Sequence, residues 1–299
     1  MRAEPTRPSR RRTPRWTIAF TVVLGASLAI SLVLAPVASA NFFVPKSGGS
    51  PNANQISSLY KIILYMAAVV FVIVEGALVY SVYKYRAKKS KHAAQIHGNT
   101  PLEVGWTVAA ALILVAITVV TFIKLPSILN PPNSSASSSF LSASLNEPSP
   151  PNGKKLTVCV TGRQFIWMYS YGATCNKHRF DAKLPYSYQQ MVVPEHTTVV
   201  LVIQSIDVIH SWWVPSLGGK VDAVPGYTTY TWFKALHTGL FHGQCAQLCG
   251  RQHAFMTAQV KVVPPPQYHT WIKQQGAAIN AANDQVGKLR QQLTSEGQL

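Results

Sequence analysis

Two apolar runs, Leu59 to Tyr83 and Val104 to Ile123, constrain this chain more than any other feature, because each is long enough to cross a bilayer as a helix. Between them lie Lys84, Arg86, Lys88, Lys89 and Lys91. A short basic loop stays on the cytoplasmic side, so the two spans form a hairpin with both ends outside. The rest of the chain must then be an extracytoplasmic domain. Mean hydropathy of +0.12, with 47% hydrophobic and 12% charged residues, agrees with a membrane protein carrying one such domain. The net charge of +17 is no sign of nucleic-acid binding. Its basic residues flank apolar runs, and no recognition helix or aromatic platform accompanies them.

The boundaries follow from composition. Residues 1–40 hold arginines up to Arg15, an apolar run from Ile18 to Ala35 and Ala38-Ser39-Ala40, the form of a signal peptide cleaved after Ala40. A retained first helix is the alternative. Residues 41–125 make the hairpin, with Asn41 to Ser57 read as a surface linker and Pro126 as the end of the second span. Glu75 lies inside the first span, where a carboxylate either faces a partner or water path, or sits close enough to the helix end to reach the basic loop. Residues 126–155 are rich in Pro and Ser, a flexible linker.

From residue 156 the text turns to β. Leu156 to Val160, Phe165 to Tyr171, Thr197 to Ile206, Thr228 to Phe233 and Phe255 to Val263 are β-branched and aromatic, and a Greek-key sandwich over 156–264 suits them. Cys159 and Cys175 flank a strand and turn, and outside the cytoplasm they are expected to pair. Residues 265–299 are an Ala/Gln-rich tail suited to a helix, without a Cys-x-x-Cys-His haem motif. His178, His237, His242 and His269 have no ligand context and read as surface or packing residues.

The chemistry is concentrated in Cys245-x3-Cys249-x3-His253-x2-Met256. Two thiolates, an imidazole and a thioether are soft or borderline donors that suit copper, and no carboxylate is offered to a hard cation. A Cys-x3-Cys alone could be a disulfide, and with His253 a zinc site. Met256 argues against zinc, which favours thiolate, imidazole and carboxylate. A second imidazole can come from His210, in Asp207-Val208-Ile209-His210-Ser211-Trp212-Trp213, just after a β-rich run.

The segments Asp207 to Gly226 and Phe241 to Met256 resemble subunit II of haem-copper cytochrome c oxidases, and so does His97 to Thr107 before the second span. The resemblance implies a cupredoxin-like domain holding the dinuclear copper centre called CuA. Cys245 and Cys249 would bridge the coppers, His210 and His253 would each cap one, and Met256 and the Gln247 carbonyl would be weak ligands. It implies electron entry from a cytochrome c-like donor, passage to haem in subunit I, oxygen reduction there and proton translocation, with subunit III as a further partner. It places the chain in the plasma membrane with its copper domain outside.

Glu103 matches the family's glutamate at a proton-path entrance; by itself it reads as a helix-start carboxylate. Phe165 stands where relatives have a tryptophan for electron entry, with Trp167 two residues on. Gln247 replaces a glutamate that also binds magnesium, so that ion is expected to be weakened or lost. From residue 127 onward, thirteen Lys/Arg stand against seven Asp/Glu, which points to a donor that is not strongly basic or is tethered. A membrane-anchored copper carrier or assembly protein is the alternative function. It would keep its sulfurs open to solvent, whereas Trp212, Trp213 and Phe255 suggest a closed site.

Overall fold

The structure is a computed structural model that describes residues 43–86, 95, 97–131, 148, 155–172, 175 and 184–298. The expected signal segment, most of the linker, His178, and Lys88, Lys89 and Lys91 lie outside the described residues.

Two long helices come first, α1 (Pro51–Lys84) and α2 (Thr100–Leu129). They pack against each other, and their apolar central windows bury nothing within the chain, as expected of surfaces that face lipid or a partner subunit. Both overrun the expected limits. Pro51 to Ser57 is helical where a linker was expected, with Pro51 in the first turn, where its missing N–H costs nothing. At the other end Pro126 does not stop α2, which runs on to Leu129. Tertiary contacts with the outer domain capture both extensions.

The outer domain is a sandwich of two five-stranded sheets. Its strands are β1 (Leu156–Arg163), β2 (Ile166–Tyr171), β3 (Tyr186–Tyr188), β4 (Gln190–Pro194), β5 (Thr198–Ser205), β6 (His210–Trp213), β7 (Val221–Ala223), β8 (Thr229–Lys234), β9 (Gly239–Cys245) and β10 (Thr257–Val263). One sheet runs β3-β2-β1-β5-β8 and the other β4-β10-β9-β6-β7. The pairs β1·β5 and β4·β10 are parallel and the others antiparallel. Every residue of β5 is buried, since the strand lies inside its sheet and carries Val, Leu and Ile on both faces.

Val158, Val160, Leu201, Ile203, Phe233, Trp212 and Val260 fill the space between the sheets. Tyr169 and Tyr171 belong to this core, as their position in a strand suggested. The tail is a helix, α3 (Pro265–Ser295), whose first turns close one side of the sandwich: Trp271 meets Tyr171 edge-on at 5.1 Å, and Gln275 donates to the Tyr186 carbonyl. Cys159 and Cys175 are joined as a disulfide across a Cα separation of 5.4 Å.

Candidate metal centre

Three neighbouring pieces of one sheet deliver the donor atoms. His210 opens β6, Cys245 closes β9, and the turn after β9 carries Cys249 before a short 3-10 helix, His253–Phe255, returns the chain to β10 through Met256. Strand β6 pairs with β9 in the register Trp212↔Cys245, which brings residues 35 positions apart into one cluster. The loop is drawn shut by its own backbone: Cys245 N–H donates to the Met256 carbonyl at 2.9 Å and Ala246 N–H to the Ser211 carbonyl at 2.8 Å.

Within the cluster, Cys245 Sγ lies 3.9 Å from His210 Nδ1, 4.0 Å from Cys249 Sγ and 3.3 Å from the Gln247 carbonyl. Cys249 Sγ lies 3.5 Å from His253 Nδ1 and 3.9 Å from Met256 Sδ. Two sulfurs bound to one metal by bonds of about 2.3 Å at a tetrahedral angle end roughly 3.8 Å apart, so these separations fit a shared metal. The cysteines are free thiols and no disulfide joins them. His210, Cys245, Cys249 and Met256 are buried, while His253 is half-buried and Gln247 exposed. All six groups singled out in the sequence as ligands are therefore brought together.

The electrostatics suit a metal site. Burial raises the Cys245 thiol, but hydrogen bonding to His210 and the backbone outweighs it and brings Cys245 down to about 6. Burial and the neighbouring Cys245 charge push Cys249 up to about 11. Burial disfavours a charged His210, yet Cys245 and Asp207 together hold its pKa above the usual imidazole range.

Asp207 is the residue sequence reasoning underused. Its Oδ1 sits 2.9 Å from His210 Nε2 and its Oδ2 accepts from Gln164 N–H at 2.7 Å. A carboxylate on the far nitrogen fixes the ring so that Nδ1 faces the sulfurs, and makes the imidazole a stronger electron donor. The Asp-x-x-His spacing carried that signal. Asp207→Asn is expected to raise the reduction potential of the loaded centre, because a weaker donor favours the oxidised state less; redox titration of the copper absorbance checks it.

The aromatic stretch divides in two. Trp167 is fully buried, edge-on to His210 at 5.8 Å, so no donor protein can touch it and it is an inner wall of the site. Phe165 is half-buried and lies over the loop, where a Cβ on Gly250 would come within 3.0 Å of its ring. Gln164 reaches the same place, donating from Nε2 to the Cys249 carbonyl at 2.6 Å. Phe255 does not help close the site as expected: it is 77% exposed, as is Leu248. The side chain of a 3-10 helix only three residues long has little to pack against, and the fully buried Trp167, edge-on to His210, does the closing instead. Glu103 lies far along the chain from this cluster, in the first turn of α2, where its Oε1 accepts from Asn99 N–H at 3.2 Å. Its visible part is that of a helix-start carboxylate.

Comparison with known proteins gives one consistent result. The family model described as the periplasmic domain of cytochrome c oxidase subunit II matches residues 156–263, and the one described as its transmembrane domain matches residues 38–123. The chain is 32% identical over 286 residues to cytochrome c oxidase subunit 2 of Cereibacter sphaeroides, covering 86% of this chain and 87% of that protein. It is 31% identical over 253 residues to the probable subunit 2 of Rickettsia bellii, covering 80% and 86%. With subunit 2 of Alkalihalophilus pseudofirmus it shares 30% identity over 249 residues, covering 82% and 66%.

Proposed function

The chain belongs to the cytochrome c oxidase subunit II family, the electron-entry subunit of an oxidoreductase complex, and from that premise we propose which of its atoms carry the electron. Two spans anchor it beside subunit I, and its β domain lies on the extracytoplasmic side. Copper in the CuA form is what the family implies, and the His210, Cys245 and Cys249 cluster fits it. Such a centre supplies one-electron transfer with little change in bond length.

In this reading Cys245 and Cys249 would bridge two coppers, His210 and His253 would each cap one, and Met256 and the Gln247 carbonyl would complete the set. What supports it most is the gathering of six donor groups from three segments around two free, buried sulfurs. The burial also opposes a copper carrier, which must hand its metal over: Cys245 and Cys249 are only 2% and 5% exposed. The purified oxidase should give an electron spin resonance signal split by two equivalent coppers; a mononuclear pattern would sink the assignment.

The protein's own share of the work is to hold the ligands still and to admit the electron from one side. Asp207 and Trp167 fix His210 from behind, while half-buried His253 and Phe165 face the outside. Phe165 is thus the entry residue of this proposal, and Trp167 a packing partner of the centre. Glu103 as a proton-path entrance rests on the family likeness. A magnesium ion at Gln247 is not expected, because an exposed amide offers a hard cation no charge.

Subunit III and a cytochrome c-like donor complete the proposed assembly. The rim of the site exposes apolar Leu248, Phe255 and Ile209, and beside the ligands it carries one exposed acid, Asp207, balanced by one exposed base, Arg251. Turnover with soluble donors should therefore change little with ionic strength, and a lysine-rich donor should gain no advantage over an acidic one at low salt. A marked low-salt preference for the lysine-rich donor would refute this.

A further inference from the structure

Among the described residues, the outer ends of both helices hold the copper domain through contacts of their own. Helix α1, with 34 residues, is about 51 Å long, well beyond a hydrocarbon core of about 30 Å. Its polar first turns, Pro51 to Ser58, extend from the outer end of the apolar span toward the sandwich as rigid helix. Helix α2 does the same at its other end through Leu129.

Both extensions end on β8. Asn52 Nδ2 donates to the Trp232 carbonyl at 2.7 Å, Ser50 Oγ donates to Asn52 Oδ1 at 2.7 Å, and Lys234 N–H donates to Ser50 Oγ at 3.1 Å. Leu236 N–H donates to the Gly49 carbonyl at 3.0 Å. From the other helix, the Leu129 carbonyl accepts from Trp232 Nε1 at 2.8 Å. Lys124 of α2 donates to Gln55 Oε1 of α1 at 3.1 Å, binding the two extensions together. Ser50 and Asn52 are 0% and 3% exposed, so these are buried, hydrogen-bonded polar groups, costly to leave unpaired. The fit is tight: a Cβ on Gly218 would come within 2.8 Å of Asn52 Nδ2.

Domains joined by a linker alone move relative to one another by default. Here the strand that takes both helix ends is the edge strand of one sheet and pairs along its length with the wholly buried β5, so the hairpin is tied to the body of the sandwich. We propose that Asn52 and Trp232 are positioning residues for electron transfer: through β8 they hold the copper centre at a fixed distance and orientation above the subunit I haem. The proposal rests on the electron-entry reading. Tunnelling rates fall exponentially with distance, so a small displacement of the whole domain slows transfer without altering the ligands.

The test uses the assembled oxidase carrying Trp232→Phe, Asn52→Asp or Gly218→Ala. The first removes one donor and keeps a ring, the second removes the amide N–H, and the third pushes the amide aside from the opposite wall. In each, three quantities are read: the two-copper resonance signal, the copper-to-haem transfer rate after flash reduction, and the copper–haem distance distribution from pulsed dipolar spectroscopy. Expected are an unchanged copper signal, a broadened distance distribution and transfer slowed severalfold, since the rate falls exponentially with the added distance. An unchanged rate and a narrow distribution in Trp232→Phe and Gly218→Ala would overturn the proposal. So would loss of the copper signal in Trp232→Phe, since the residue would then support the fold of the domain and not its placement. Absence of a two-copper signal from the unsubstituted oxidase would instead sink the ligand assignment, a separate outcome.

Discussion

Cys249→Ser abolishes the two-copper signal and cuts donor-driven turnover of the assembled oxidase by roughly 100-fold or more, beyond the 10- to 100-fold typical of losing a group one step removed from a metal. Cys249 is the hub of the cluster, within 4.0 Å of Cys245 Sγ, His253 Nδ1 and Met256 Sδ. A serine hydroxyl occupies nearly the same space but is a hard donor that keeps its proton near neutral pH, so it cannot bridge two soft metal ions. Because the volume is conserved, the β domain should stay folded, which far-ultraviolet circular dichroism checks. Retention of a signal split by two equivalent coppers in this variant would remove Cys249 from the bridge and overturn the centre as assigned.

Gly243→Ala is the second large effect, and it strikes the centre without touching a ligand. Gly243 lies on β9, where a Cβ would come within 2.1 Å of the Trp213 carbonyl oxygen and 2.7 Å of Val214 Cγ2. The obstacle is backbone, which cannot swing aside as a side-chain tip would. One methyl group therefore forces β9 away from β6, the pairing that carries Cys245 to His210. Overpacking of this kind costs about 1–3 kcal/mol, and the loss of strand pairing adds to it. The expected result is a lower melting temperature together with weakened copper retention under chelator challenge. Normal stability and copper retention would mean that the two strands separate freely, and the strand register would not be what assembles the site.

How much of this was legible beforehand differs from residue to residue. The spans, the β character of the outer domain and the helical tail follow from apolar run length and β-branched content, which are local properties. Strands β1, β2, β5, β8 and β10 were visible in that way. Strands β3, β4, β6, β7 and β9 were not, since Tyr186–Tyr188 and Val221–Ala223 are only three residues long and Gly239–Cys245 holds two glycines. Tertiary pairing makes them strands. The same applies to Pro51 to Ser57, whose polar composition reads as a linker until β8 gives its side chains partners.

The sequence by itself supplied the proposed donor set, because soft ligand chemistry is a property of Cys, His and Met side chains, and the spacing from Cys245 to Met256 bounds how far apart those donors can lie. It determined the membrane anchoring for the same reason: hydrophobicity and charge asymmetry need no fold to act. Only the tertiary structure decided which aromatic lies toward the surface and which in the core, exposing part of Phe165 and burying Trp167 against His210. It alone set Asp207 on the far side of the imidazole and tied both helix ends to one strand. These depend on strand register and on contacts between residues up to 184 positions apart, and such contacts are fixed by the packing of the whole sandwich rather than by any short stretch of chain.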